Sequence, residues 1–408
     1  MNVSTESMWL TWDDIRRAVK GRRAYLYGRS EDWVHKAAPR LKGQLVGIVD
    51  REQQYHGTLY KDLPVFPLES IDSLNECYFV ITAGDFDGIV ENLIARGLRP
   101  GVDFSCSPDF RDYQVLSKIK SHKVNVLFSS SDYNDVTRAR GSRVGGGMFV
   151  LEMPTSEVRR VATGSFRQFE RSGDFIYAVE YVEKSLVQFD LDFKVVKKVG
   201  LGKPNYCGLA LNNDDGLIYL ANAGTDEISA FDMRNLEMVK KRRFNTNQLG
   251  AEHHVNDLCY SDGILYCSYF SYCGGFKRGV FDGGVSAIDV NKEEAMPVQL
   301  IGGLWKPHTP KFVDGKLVVL DSMRGRLLSG SPKPITRFGG FVRGMCKHEN
   351  YWLVGQSEDM YVTDRMSMTE DAVLLNSGVY IYDDESKAAF FYTTPGIMNI
   401  HCLTDFEA

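Results

Sequence analysis

Histidine is the side chain whose free pKa makes proton transfer easiest near neutrality, and arginine is a strong partner of carboxylate and phosphate. Three stretches set histidine, arginine and asparagine at the start of apolar runs: His253-His254-Val255-Asn256-Asp257, Lys306-Pro307-His308 and Phe341-Val342-Arg343. Each precedes a strand, a tight turn and a second strand. Aligned on those turns, Asn256, His308 and Arg343 occupy equivalent positions, with His401 similarly placed near the C-terminus. Such residues are expected to converge, with His254 and His308 as acid/base candidates and Asn256, Arg343 and His401 as substrate contacts. A cationic rim is expected from Arg138, Arg140, Arg143, Lys277 and Arg278, although the basic run 138–143 taken alone reads more readily as a solvated face. A divalent metal has candidate ligands in His254, His308 and His401; with no HxH or HExxH spacing, a hydrogen-bonded structural histidine is the competing role for each.

A second chemistry is suggested near the N-terminus. The run AYLYG ends in Gly28, and Asp50 ends the run LVGIVD 22 residues later, where an acidic residue can hold a ribose hydroxyl. The turn Gly28-Arg29-Ser30-Glu31 has one glycine where a dinucleotide fingerprint wants three. A nucleotide or nucleotide sugar bound at Gly28 and Asp50 is one expectation; an ordinary turn glycine and a strand-end carboxylate are the other.

The elements that must position these residues fall into two unlike parts. Up to about residue 112 the runs 24–28, 45–50 and 78–84 read as parallel strands buried on both faces, and 87–97 has helical spacing with a terminal glycine. From about 123 onward five strand–turn–strand units recur, with turn residues Gly173, Gly216, Gly263, Gly315 and Asn350 spaced by 43, 47, 52 and 35, near the period of a four-stranded propeller blade. Three strands over 124–164 lack an innermost partner and 396–406 is an innermost strand with nothing after it, so the last strand is expected to complete the first blade. The predicted architecture is a small Rossmann-like α/β domain over 1–120 and a six-bladed β-propeller over 123–408, closed by the C-terminal strand.

Composition bounds the partners. With 48 Lys+Arg against 53 Asp+Glu the net charge is -5, which offers no global attraction to nucleic acid. The start lacks a signal-peptide pattern and no run approaches 18 apolar residues, so a soluble cytoplasmic protein without membrane insertion is expected. Eight cysteines without a CxxC pair are expected to be mostly buried free thiols.

The stretches 253–267, 303–327 and 340–357 resemble a group of bacterial propellers of unknown function. More distantly, His254-Val255-Asn256-Asp257 is similar to the R-x-N-D motif of gluconolactonase and senescence-marker-type propellers, with histidine in place of arginine. Their metal-binding P-N-G is represented by Pro204-Asn205-Tyr206-Cys207-Gly208, with two residues inserted. The N-terminal part resembles the Rossmann-like domains attached to bacterial sugar-modifying and capsule-biosynthesis proteins, some of which bind nucleotide sugars. These resemblances imply an enzyme of bacterial carbohydrate or small-molecule biosynthesis, a lactonase-like hydrolase, lyase or epimerase acting on an anionic sugar-like substrate at the channel mouth. A non-catalytic sugar or protein recognition propeller with a nucleotide-sugar-binding accessory domain is the alternative.

Overall fold

A computed structural model describes residues 8–84, 86–132, 145–244, 252–293, 295–331, 333–358 and 376–407. The chain divides into two compact units, Met1–Lys118 and Ile119–Ala408.

The first unit is built on a six-stranded mixed sheet in the order Leu59–Tyr60, Leu63–Phe66, Leu45–Val49, Arg23–Tyr27, Cys77–Ile81, Phe104–Cys106. Its neighbours are parallel except for the first pair. Side chains alternate across a strand, so a run apolar at every position needs cover on both faces. It has it: Tyr25, Tyr27, Phe79 and Ile81 join one buried cluster, and Ala24, Leu26, Tyr78 and Val80 another. Helix Trp12–Ala18 starts at Thr11, whose hydroxyl accepts the Asp14 N–H at 3.2 Å while the Asp14 carboxylate accepts the Thr11 N–H at 3.1 Å. This reciprocal cap satisfies two donors that a helix start leaves open.

The second unit is a six-bladed β-propeller. Five blades are four-stranded antiparallel sheets whose strands follow one another in sequence. Their first strands are Phe166–Ser172, Tyr206–Asn212, Val255–Ser261, Pro307–Val313 and Phe341–His348. In the sixth sheet Cys402–Asp405 pairs antiparallel with Val124–Ser130, followed by Gly147–Met153 and Glu157–Thr163. The first strands neighbour one another from blade to blade, and Cys402–Asp405 lies between those of the fifth and first blades. Apolar side chains fill the gaps between sheets, as where Phe166, Phe169 and Ile176 meet Leu127, Met148 and Val150, or where Leu258 and Leu265 meet Tyr219 and Ala221. The fourth strands Val195–Gly200 and Met238–Arg243 are largely exposed.

Hairpin turns explain the periodic glycines. Asp262 and Gly263 have φ of 51° and 77°, and Asp314 and Gly315 have 50° and 72°, the doubled positive φ that matches a turn to strand twist. In the fifth hairpin the left-handed residue is Glu349, with φ of 51°, one position before the Asn350 singled out from the sequence. All eight cysteines are free and seven are buried. Among the described residues no helix is long and apolar enough to cross a membrane.

The first strands approach one another closely where a side chain is missing. A Cβ on Gly208 would lie 2.0 Å from the Asn256 carbonyl oxygen, whereas one on the turn residue Gly216 would meet nothing within 4 Å. Gly208→Ala is expected to force the second and third blades apart and cost about 1–3 kcal/mol. Gly216→Ala is expected to cost about 1 kcal/mol, from backbone conformation alone. Urea unfolding of the two variants checks the difference, and equal midpoints would refute the close approach.

Candidate functional site

One irregularity repeats in the first strands and sets the site. Phe166 and Phe169 pair with Glu180 and Ala178, so two residues, Arg167 and Gln168, stand opposite one. The same two-against-one count recurs at Asn256-Asp257, Thr309-Pro310 and Arg343-Gly344, and Cys207 is the extra residue in the second blade. A bulge of this kind bends the strand and re-aims its side chains. The register therefore makes Arg167, Cys207, Asn256, Thr309 and Arg343 the equivalent positions. His308, expected to match Asn256 and Arg343, pairs instead like Val255 and Val342, one residue earlier. The ladder between turn and bulge has three pairs in the fourth blade and four in the third and fifth, so alignment on the distal turns misplaces His308 by one residue.

Arg343 is the most connected of these groups. Its Nη2 donates to the Asn399 side-chain oxygen at 2.6 Å and the Ser357 hydroxyl at 2.9 Å, and its Nη1 lies 3.2 Å from His401 Nδ1. Burial, with help from the Arg167 guanidinium, pushes its pKa down to about 9, while Asp257 and Asp132 act in the opposite sense. Asn399 in turn donates to the Asp132 carboxylate at 2.5 Å, whose other oxygen accepts the Met398 N–H at 2.6 Å. Arg167 lies 3.8 Å from the centre of the Tyr181 ring and donates to the Cys207 sulfur at 3.1 Å. The Nε–H groups of Arg167 and Arg343 are buried without an acceptor among the described residues.

The buried His308 and the half-buried His401 differ in which nitrogen is committed. His308 Nδ1 is 2.9 Å from the Lys306 carbonyl oxygen, which can only accept, so Nδ1 carries the hydrogen, shared with the Ser322 hydroxyl oxygen at 2.8 Å. Its Nε2 is left as a lone pair with no hydrogen bond among the described residues. His401 has both nitrogens engaged, Nδ1 facing Arg343 and Nε2 on the Ser131 hydroxyl at 2.5 Å. Burial and the Arg343 charge hold both imidazoles well below the usual 6.5, in their neutral form. Asp257 accepts the Thr309 N–H at 2.8 Å, and burial pushes its pKa up to about 6. Asn256 beside it is 4% exposed.

His254 occupies a neighbouring position. Its ring stacks on Phe270 at 4.6 Å and Phe276 at 4.1 Å, and it lines a 230 Å³ cavity together with Arg167, Tyr181, Cys207, Glu252 and Lys277. Lys277 is paired there with Glu252. Arg138, Arg140 and Arg143 lie outside the described residues. His254, His308 and His401 are not gathered into a three-ligand metal group; among the described residues the one such group is His122, His348 and Glu349. Beside Arg167 in the same bulge, Gln168 reaches across blades, accepting the N–H groups of Leu209 at 2.8 Å and Leu258 at 3.2 Å and donating to the Leu258 carbonyl at 2.9 Å.

Sequence reasoning passed over Arg167, Asp257 as a charged group, Asp132 and Asn399. The signal for the first two was local: FRQF, VNDL and VRGM each set polar or small residues between two apolar ones at a strand start. Asp132 and Asn399 carry no such signal, because they are brought together from 267 residues apart.

In the first unit Gly28 and Asp50 line a separate 290 Å³ cavity with Arg29, Ser30, Arg51, Glu52 and Tyr60. Gly28 has φ of 105°, and a Cβ there would lie 2.4 Å from the Ala83 Cβ, so packing alone demands the glycine. The Asp50 carboxylate accepts from Arg29 Nε at 2.8 Å and from the Glu52 N–H at 2.9 Å.

A family described as a domain of unknown function (DUF4915) matches residues 248–393. No curated protein matches the chain. Among solved structures, a protein of unknown function from Bacteroides caccae is 13% identical with a TM-score of 0.48, covering 70% of this chain and 100% of that one. A nidogen/laminin complex is 10% identical at 0.49, covering 70% and 98%. A calcium-binding protein, regucalcin, from Agrobacterium tumefaciens is 15% identical at 0.41, covering 58% and 76%. Likenesses at these levels bring no chemistry to this chain.

The Asp257 carboxyl supplies a test of the site's electrostatics. Its folded pKa, about 6, lies above the ordinary 3.8, so its contribution to stability is present below pH 4 and lost as pH rises through 6. Asp257→Asn removes that loss. Urea unfolding should show the variant gaining on wild type by up to about 3 kcal/mol between pH 4 and pH 7. A difference independent of pH would refute a raised Asp257.

Proposed function

We propose that the propeller channel mouth is the active site of an enzyme acting on an anionic, sugar-like small molecule, one bearing a carboxylate or phosphate. The observation that carries this reading is His308: Lys306 fixes its tautomer, so Nε2 is a lone pair ready to take a proton, and burial beside Arg343 keeps it neutral. Arg167 and Arg343 supply the positive charge that holds the anion, with Asn256 as a polar neighbour. His308 Nε2 takes a proton from the substrate or from a water beside it, and Asp257, titrating near 6, is the group able to return one near neutrality. His254 is reassigned from catalysis to the wall of the adjoining cavity, where it and Arg167 meet the remainder of the substrate. His401 orients Arg343.

A recognition module is the second reading, favoured by Arg343 having both terminal nitrogens occupied by Asn399, Ser357 and His401. In either reading we take the first unit as a Rossmann-like accessory, with a nucleotide or nucleotide sugar in the cavity beside Gly28, and Arg29 rather than Asp50 facing it. We also take the pairing of Cys402–Asp405 with Val124–Ser130 as closure of the ring by the C-terminal strand, and the eight free thiols as fitting a reducing cytoplasm.

A panel of sugar acids and sugar phosphates, screened by thermal shift and then for turnover, tests the enzyme. His308→Asn is expected to lower kcat by about 10²–10⁴ while leaving the melting temperature near that of wild type. Arg167→Gln is expected to raise KM about tenfold or more, since a hydrogen bond to a charged group is worth about 1.5–3 kcal/mol. The low pKa of His308 places the acid limb of kcat below pH 6.5. Unchanged turnover in His308→Asn with weakened binding in Arg167→Gln would select the recognition module.

A further inference from the structure

A second cluster lies away from the channel mouth, where the end of the fifth blade's first strand meets the residues leading into Val124–Ser130. His122, His348 and Glu349 each offer a ligand atom there, all within 4.8 Å of one another. His348 ends the strand Phe341–His348, and Glu349 occupies the turn after it in a left-handed conformation, with φ of 51°. The rings of His122 and His348 are 5.5 Å apart, and His122 also packs on Tyr351 at 4.5 Å. The Asp405 carboxylate lies 3.0 Å from His348 Nδ1. A carboxylate on Nδ1 fixes the tautomer and leaves Nε2 as the lone pair, the arrangement that supports imidazole ligands of zinc.

We propose that His122, His348 and Glu349 bind one divalent transition-metal ion of the zinc type, with Asp405 holding His348 in ligating form. Two imidazole nitrogens and one carboxylate oxygen suit a tetrahedral ion at about 2.0–2.2 Å, leaving a fourth position for water. Ligands around such an ion stand about 3.3 Å apart, so a contraction of the cluster by small side-chain rotations completes it. Glu349 and Asp405 together balance the charge of the ion. The ion would staple the fifth blade's hairpin to His122 beside the C-terminal strand, at the seam where both ends of the propeller chain meet.

The test is zinc binding by the full chain after chelator treatment, measured by competition with a chromophoric chelator and by metal content. One equivalent is expected, with a rise in melting temperature as zinc is added. His348→Ala and Glu349→Gln are expected to weaken binding of that equivalent tenfold or more, Asp405→Asn about tenfold, and His308→Asn not at all. Glu349 is exposed, so Glu349→Gln reports even where His348→Ala does not fold. No binding at micromolar zinc, or equal affinity in wild type and Glu349→Gln, would overturn the site, as would loss of the equivalent in a folded His308→Asn.

Discussion

Neighbouring first strands of the propeller come so close that at Gly208 and Gly344 backbone meets backbone; added Cβ atoms there would lie 2.0 Å from Asn256 and 2.9 Å from Cys402. Strands converging on one axis leave space for side chains only where the ladder yields an extra residue. The bulges do this, turning Arg167, Asn256 and Arg343 out of the regular alternation. A polar cluster near the axis is thus a consequence of ring geometry. Chemistry enters through which residues occupy those positions.

Charge in the channel is arranged so that it does not cancel by simple pairing. Taking a guanidinium out of water is costly, and the buried Arg343 and half-buried Arg167 spread that cost over neutral acceptors: a sulfur, a hydroxyl, an amide and an imidazole. The carboxylates take secondary places. Asp132 is tied to Asn399 and a backbone N–H, and Asp257 to the Thr309 N–H. Positive charge held by neutral partners keeps its field, and that field adds to burial in holding His308 and His401 neutral.

An ion bound at His122, His348 and Glu349 would add mass-action stability where the fifth and sixth sheets neighbour each other. The sixth sheet joins residues 124–163 to the strand 402–405, far from them in sequence. Asp405 belongs to that strand and contacts His348 of the neighbouring blade.

The periodic hairpins and the change from buried parallel runs to short alternating strands were legible in the sequence because both are local. Turn glycines recur near the period of a blade, and apolar runs such as 78–81 leave little choice but burial on both faces. The free cysteines follow from spacing in the same way. His308, Arg343 and His401 were legible as candidates, but their roles were not. The sequence does not say that His401 is engaged by Arg343 and Ser131, nor that His308 keeps one nitrogen open, because those partners lie 14 to 270 residues away along the chain. Asp50 shows the same limit: it stands where a ribose contact is expected, and Arg29 folds back to occupy it. Strand and turn propensity are settled between near neighbours along the chain, whereas hydrogen-bond partners and desolvation depend on what the ring brings together, and only the tertiary structure decides that.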